Sequence, residues 1–77
     1  MSIKVRYFAS LKELVGRSDD ELQADQALTV RAIWRQLNPE LALPENVLAA
    51  LNMEYVGYDA RVWDGDELAF FPPVTGG

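Results

Sequence analysis

One segment of this chain carries a full helical stripe of apolar residues, and the rest of the fold has to be built around it. Val30, Ile33, Trp34 and Leu37 fall at i, i+3, i+4 and i+7, while Arg31, Arg35 and Gln36 take the opposite side. Thr29 stands where an N-cap belongs, and Pro39, two residues past the stripe, stops the helix. At this spacing Trp34 is core, and Leu41-Ala42-Leu43-Pro44 continues as irregular chain. The 77 residues include no cysteine and no histidine, so neither a disulfide nor a Cys/His metal site can stand in for a well-packed core.

Strand signals lie on both sides of that helix. Ile3-Lys4-Val5-Arg6-Tyr7 alternates apolar and charged, which predicts a half-buried strand with Ile3, Val5 and Tyr7 inward and Lys4, Arg6 and Phe8 outward. Residues 9–15 read as a short helix with Ser10 as N-cap, Glu13 completing a capping box and Gly16 in a left-handed C′ position. Leu11, Leu14 and Val15 are its expected buried side. Residues 18–26 are polar, with Leu22 and Ala24 two apart, which fits an edge strand bounded by acids. Residues 47–51 and Tyr55-Val56 read as two short strands joined by a turn through Asn52-Met53-Glu54. Asp64-Gly65-Asp66 signals another turn, and Glu67-Leu68-Ala69-Phe70-Phe71 reads as the last strand, closed by Pro72-Pro73. A mixed sheet of four or five strands wrapped around the Thr29 helix buries every stripe, which makes the fold class α+β. There are no repeats and no room for a second domain.

Charge is unevenly placed. The chain carries a net −5, and residues 1–35 sum to +1 while residues 36–77 sum to −6. An acidic second half argues against nucleic acid and anionic membrane as partners, and fits either a basic partner surface or a solvated face. The start, Met1-Ser2-Ile3-Lys4-Val5-Arg6, has charges where a signal peptide is continuously apolar, and the longest apolar run, residues 47–51, is too short to span a bilayer. A cytoplasmic location is expected.

The missing residue types also remove iron–sulfur clusters, cysteine nucleophiles and Ser-His-Asp triads from consideration. Asp64, Asp66 and Glu67 form the densest carboxylate cluster, but a tight turn accounts for it. The two aspartates have the first spacing of a calcium loop without its later glycine and glutamate, so no metal is expected. Gly57 and Gly65 stand alone, so there is no phosphate-binding glycine loop.

The informative segment is the end of the chain: Phe70-Phe71-Pro72-Pro73-Val74-Thr75-Gly76-Gly77. Adjacent residues on a strand face opposite sides, so with Leu68 and Phe70 in the core, Phe71 faces outward beside two rigid prolines as a candidate partner-binding patch. A Gly-Gly tail has no side chains, fits a narrow tunnel and presents an unobstructed carboxylate. A carboxylate is a poor electrophile, so its use as a carrier requires activation by another protein. The expected division is a folded domain over residues 1–74 and a flexible tail over residues 75–77.

Three stretches carry a resemblance. Val5-Arg6-Tyr7-Phe8-Ala9 with Lys12-Glu13-Leu14-Val15-Gly16, residues 47–56 around Asn52, and Asp64-Gly65-Asp66-Glu67 through Gly77 resemble the MoaD-like small subunits of molybdopterin synthase, sulfur carriers with the ubiquitin-like β-grasp fold. The resemblance implies that an activating enzyme spends ATP to adenylate the Gly77 carboxylate, which a sulfur donor converts to a thiocarboxylate. The tail then enters the large synthase subunit, within an expected heterotetramer. There it gives its sulfur to a cyclic pyranopterin monophosphate, forming the molybdopterin dithiolene. It further implies that Gly77 carries the sulfur and that Gly76, with Thr75, keeps the tail slim. Phe71, Pro72, Pro73 and Val74 would lie at the partner interface, the catalytic residues would belong to the large subunit, and no cofactor would be permanently bound. Two alternatives stand beside this one: a thiamine-pathway sulfur carrier, which has the same fold and Gly-Gly end but usually lacks Phe-Phe-Pro-Pro before it, and a ubiquitin-like interaction module or protein modifier whose tail forms an isopeptide bond.

Overall fold

A computed structural model of the chain describes residues 2–73. Its elements run β1 (Ile3–Tyr7), α1 (Ser10–Val15), β2 (Asp19–Leu22), β3 (Leu28–Thr29), α2 (Val30–Leu37), β4 (Leu48–Leu51), β5 (Glu54–Val56), β6 (Arg61–Val62) and β7 (Glu67–Phe71). Five strands form one mixed sheet in the order β2-β1-β7-β4-β5. Its central pair, β1 and β7, is parallel, with Val5 opposite Leu68 and Tyr7 opposite Phe70, and the remaining neighbours are antiparallel. A separate ribbon pairs β3 with β6 through Leu28 opposite Val62, an element too short for any periodicity to announce.

The alternation in β1 is realised as read: Ile3, Val5 and Tyr7 are buried while Lys4 and Arg6 are exposed. They pack with Leu68 and Phe70 of β7, Ala49 of β4 and the α2 stripe of Val30, Ile33 and Trp34. Burying each of the larger side chains contributes roughly 1.5–3 kcal/mol. Trp34 meets Phe70 edge-on at 5.1 Å and Tyr7 at 6.0 Å, and its indole N–H donates to the Leu41 carbonyl at 2.7 Å. The irregular segment after α2 is thereby fastened to the core, with Leu41 and Leu43 packed against it.

Thr29 caps α2 as expected, its Oγ1 accepting from the Ala32 N–H at 3.1 Å, an interaction worth about 1 kcal/mol. The first helix departs from expectation at two positions. Ala9, at φ 55°, occupies the N-cap position of α1 without any side-chain cap, and Ser10 is already helical. Only Phe8 and Ala9 separate β1 from α1, so the cap position falls on Ala9, one residue early. Leu14 is exposed, because a helix of six residues touches the sheet along a single line through Leu11 and Val15 and leaves Leu14 beside it. Gly16 ends α1 in the left-handed conformation at φ 85°, as read, donating to the Lys12 carbonyl at 2.8 Å.

One polar cluster closes the end of the core. The Tyr7 hydroxyl donates to Asp20 at 2.9 Å and accepts from the Asn38 amide at 3.2 Å, while Arg17 donates to Asn38 Oδ1 at 2.8 Å and pairs with Asp20. Burial pushes the Tyr7 phenol above its ordinary value of 10.0, the Asn38 hydrogen bond opposes the shift and Asp20 reinforces it. Among the described residues no buried side-chain polar atom lacks a partner.

Candidate functional site: the open face of the sheet

With α2 covering one face of the five-stranded sheet, the pleat sends every second side chain to the other. On β2 and β1 that open face is charged. Lys4 stands opposite Glu21 and Glu67, Arg6 stands opposite Asp19, and Arg6 reaches Glu67 at 3.3 Å. These residues line a depression of about 520 Å³ whose charges alternate in sign from strand to strand, so it offers a ligand no concentrated charge.

On β7, β4 and β5 the same face is apolar. Phe71, the last residue of β7, stacks on Phe8 with ring centroids 4.7 Å apart and planes 6° from parallel, and meets Tyr55 edge-on at 6.3 Å. Ala50 and Ala69, opposite one another in register, form a flat floor between them. These residues, with Met53, Arg6 and Glu67 at the margin, surround a depression of about 320 Å³. Arg6 lies 5.9 Å from the Phe8 ring centroid, so a cation borders the aromatic surface on the charged side.

Two tight turns hold the platform. Leu51 opposite Glu54 leaves Asn52-Met53 as a two-residue loop, and both have positive φ, at 49° and 73°, the signature of a type I′ turn. Glycine is favoured at the second position; methionine there costs about 1 kcal/mol. Asn52 donates to Asp66 Oδ1 at 3.1 Å and its own Oδ1 accepts from the Glu67 N–H at 3.0 Å. Asp66 also accepts from the Trp63 N–H at 2.8 Å, and Asp64 from the Ala24 N–H at 3.2 Å. The carboxylate cluster therefore fastens turns to one another, as the turn reading of Asp64-Gly65-Asp66 requires.

Phe71 faces outward as expected, half-buried and packed against Phe8 and Tyr55. Pro72 is half-buried and Pro73 exposed immediately beyond it. Val74, Thr75, Gly76 and Gly77 lie outside the described residues, as does the boundary expected between domain and tail. Phe8, Tyr55, Met53, Ala50 and Ala69 join Phe71 on the platform without having been singled out for it. Strand parity pointed Phe8 outward, but only the β4–β5 register brings Tyr55 to Phe71 and sets Met53 at the opposite margin, by Glu67. No helix among the described residues is long and apolar enough to cross a membrane.

A mixed sheet with parallel first and last strands at its centre, closed on one side by a single two-turn helix, defines a ubiquitin-like β-grasp domain. Residues 5–77 match the ThiS family, and the chain belongs to it. It is 46% identical to the molybdopterin synthase sulfur carrier subunit of Escherichia coli over 81 aligned positions, covering 97% of this chain and 99% of that protein. Among solved structures it resembles the small archaeal modifier protein 1 of Haloferax volcanii, with 26% identity, a TM-score of 0.77 and coverage of 95% of this chain and 98% of that one. It also resembles a chain in the complex of subunits 1 and 2 of the molybdopterin-converting factor from Helicobacter pylori, with 25% identity, a TM-score of 0.62 and full coverage of both chains.

Proposed function

We propose that this chain is the sulfur-carrying small subunit of a molybdopterin synthase and is not itself an enzyme. The observation that carries the reading is the aromatic platform of Phe8, Tyr55 and Phe71 at the root of a segment that ends in Gly76-Gly77. The family match through Gly77 and the 46% identity to a sulfur carrier subunit support it. The platform docks the large subunit, with Pro72 and Pro73 stiffening the exit and Val74, Thr75 and Gly76 threading toward the partner's catalytic groups. An activating enzyme uses ATP to convert the Gly77 carboxylate to an acyl-adenylate, releasing pyrophosphate. A sulfide-level sulfur donor displaces AMP to leave the thiocarboxylate; its sulfur then passes to a cyclic pyranopterin monophosphate, and water returns Gly77 to the carboxylate. In this reading the domain contributes position and its partners contribute catalysis; it keeps no cofactor or metal, works in the cytoplasm, and assembles with the large subunit as a heterotetramer.

Tandem mass spectrometry of N-terminally tagged protein from its own cells tests this reading at Gly77. Fragment ions are needed because replacing oxygen by sulfur adds nearly the same mass as oxidising Met1 or Met53. Sulfur localised to Gly77 is the expected result. A plain carboxylate in every sample, with the activating enzyme present, overturns it. Gly77 joined to lysines of other proteins moves the modifier reading ahead, a reading favoured by the likeness to the archaeal modifier protein. Sulfur on Gly77 in cells that make thiamine but no molybdopterin selects the thiamine-pathway alternative.

A further inference from the structure

The joint between β1 and α1 is strained. Ala9 has φ 55° and ψ −131°, outside the left-handed helical region and close to the first central position of a type II′ turn, where glycine belongs. The Leu11 N–H donates to the Phe8 carbonyl at 3.1 Å and closes that turn. Asn46 and Asn52 also have positive φ, but asparagine tolerates the left-handed region, whereas alanine has no polar side chain to offset the cost.

Little holds the segment that follows. α1 has six residues and no side-chain cap; Leu11 is its one buried residue and Val15 is half-buried. A helix this short does not persist without tertiary contacts. The base of the segment, by contrast, is firmly closed. The Tyr7 N–H donates to the Ser18 carbonyl at 3.0 Å, and Arg17 pairs with Asp20 and donates to Asn38 Oδ1, each at 2.8 Å. Residues 9–16 can therefore lift away while these bonds and the sheet stay intact. Lifting relaxes Ala9, so the strain lowers the cost of opening. It also frees the Phe8 carbonyl, leaving Phe8 held by its N–H to the Phe70 carbonyl at 3.1 Å and by its stack on Phe71.

We infer that residues 9–16 form a flap that opens as a unit about Ala9, and that its closure steadies the Phe8–Phe71 stack at the end of β7. The coupling is reciprocal: an open flap weakens the stack, and whatever holds the stack together favours the closed flap. The strained joint and the Phe71 ring thus act on one equilibrium from opposite sides. This device goes beyond the carrier reading and does not depend on it.

Native-state hydrogen exchange of the full chain, followed by NMR through a series of low urea concentrations, tests the flap. The amides of Leu11, Lys12 and Gly16 bond to the carbonyls of Phe8, Ala9 and Lys12. They are expected to be roughly tenfold or more less protected than the Tyr7 amide, with little dependence on urea, because opening the flap exposes little surface. Ala9→Gly relieves the joint and is expected to slow exchange at those three amides about threefold. Phe71→Ala removes the stack and is expected to speed them about threefold, whereas a loss felt only by the sheet speeds Tyr7 and leaves them unchanged. Flap amides that share the protection and urea slope of Tyr7 overturn the inference. So does an unchanged flap rate in either variant. Neither result bears on the chemical state of Gly77, so the carrier reading stands or falls separately.

Discussion

Two stacked aromatic pairs stand back to back across the centre of the sheet, built from consecutive residues of the same two chain segments. Tyr7 and Phe70 stack on the closed face with centroids 6.0 Å apart, and Phe8 and Phe71 stack on the open face at 4.7 Å. The inner rings are buried beneath Trp34, whereas Phe8 is 36% exposed and Phe71 only half-buried. Two pairs of similar chemistry thus serve different ends. The inner pair has already found its partner in α2, and its burial appears as stability of the free chain. The outer pair retains apolar surface, which in the proposed function is buried on association with the large subunit.

Replacing one ring on each face separates the two roles. Phe70→Ala opens a cavity in a small core and is expected to cost about 3–5 kcal/mol, against a total stability of about 4–12 kcal/mol for a chain of this size. The variant should be largely unfolded in low urea. Phe71→Ala should lower the urea midpoint only modestly while weakening binding to the large subunit tenfold or more, about 1.4 kcal/mol. Equal losses of stability from the two substitutions would erase the distinction between the faces.

Tyr7→Phe sharpens the account of the inner pair, because it keeps the stack and removes only the hydroxyl shared by Asp20 and Asn38. A loss of about 1–2 kcal/mol is expected near neutral pH. The phenol's pKa is raised in the folded chain, so its contribution is complete below the ordinary value of 10.0 and is lost as pH rises through the folded value. Urea midpoints between pH 8 and pH 11 should therefore fall more steeply for the parent chain than for Tyr7→Phe. Parallel curves would show that the hydroxyl's environment does not shift its titration.

The smallest effect belongs to the charged half of the open face. Arg6→Ala removes an exposed pair with Glu67 and should change stability by no more than about 0.5 kcal/mol. A loss comparable to that of Tyr7→Phe would mean that the cross-strand charges hold the sheet together.

Much of this division was legible in the residues. The alternation through Ile3 and Tyr7 and the Phe70-Phe71 doublet assign their faces by parity alone, and the stripe through Trp34 names the helix that must cover one of them. What escaped was set by contacts distant in sequence. Tyr55 and Met53 reach the platform because Ala50 pairs with Tyr55 on one side and Ala69 on the other, a register that a three-residue strand does not encode. Leu14 looked like core because its polarity matches Leu11, but a helix of under two turns has too narrow a contact line to bury both. The β3–β6 ribbon spans two residues per strand, below the length at which any pattern repeats.

The parallel pairing of β1 with β7 has a consequence for how the protein comes into being. The strand that completes the middle of the sheet is the last of the described strands to leave the ribosome, and the β1–β2 pair cannot be joined to the β4–β5 pair until it arrives. Contacts between segments so far apart form slowly, on a timescale of milliseconds to seconds in sheets of this kind. A polypeptide interrupted before residue 67 has no centre to its sheet, so folding cannot finish without β7. Truncated chains therefore lack both the closed core and the platform built on Phe71.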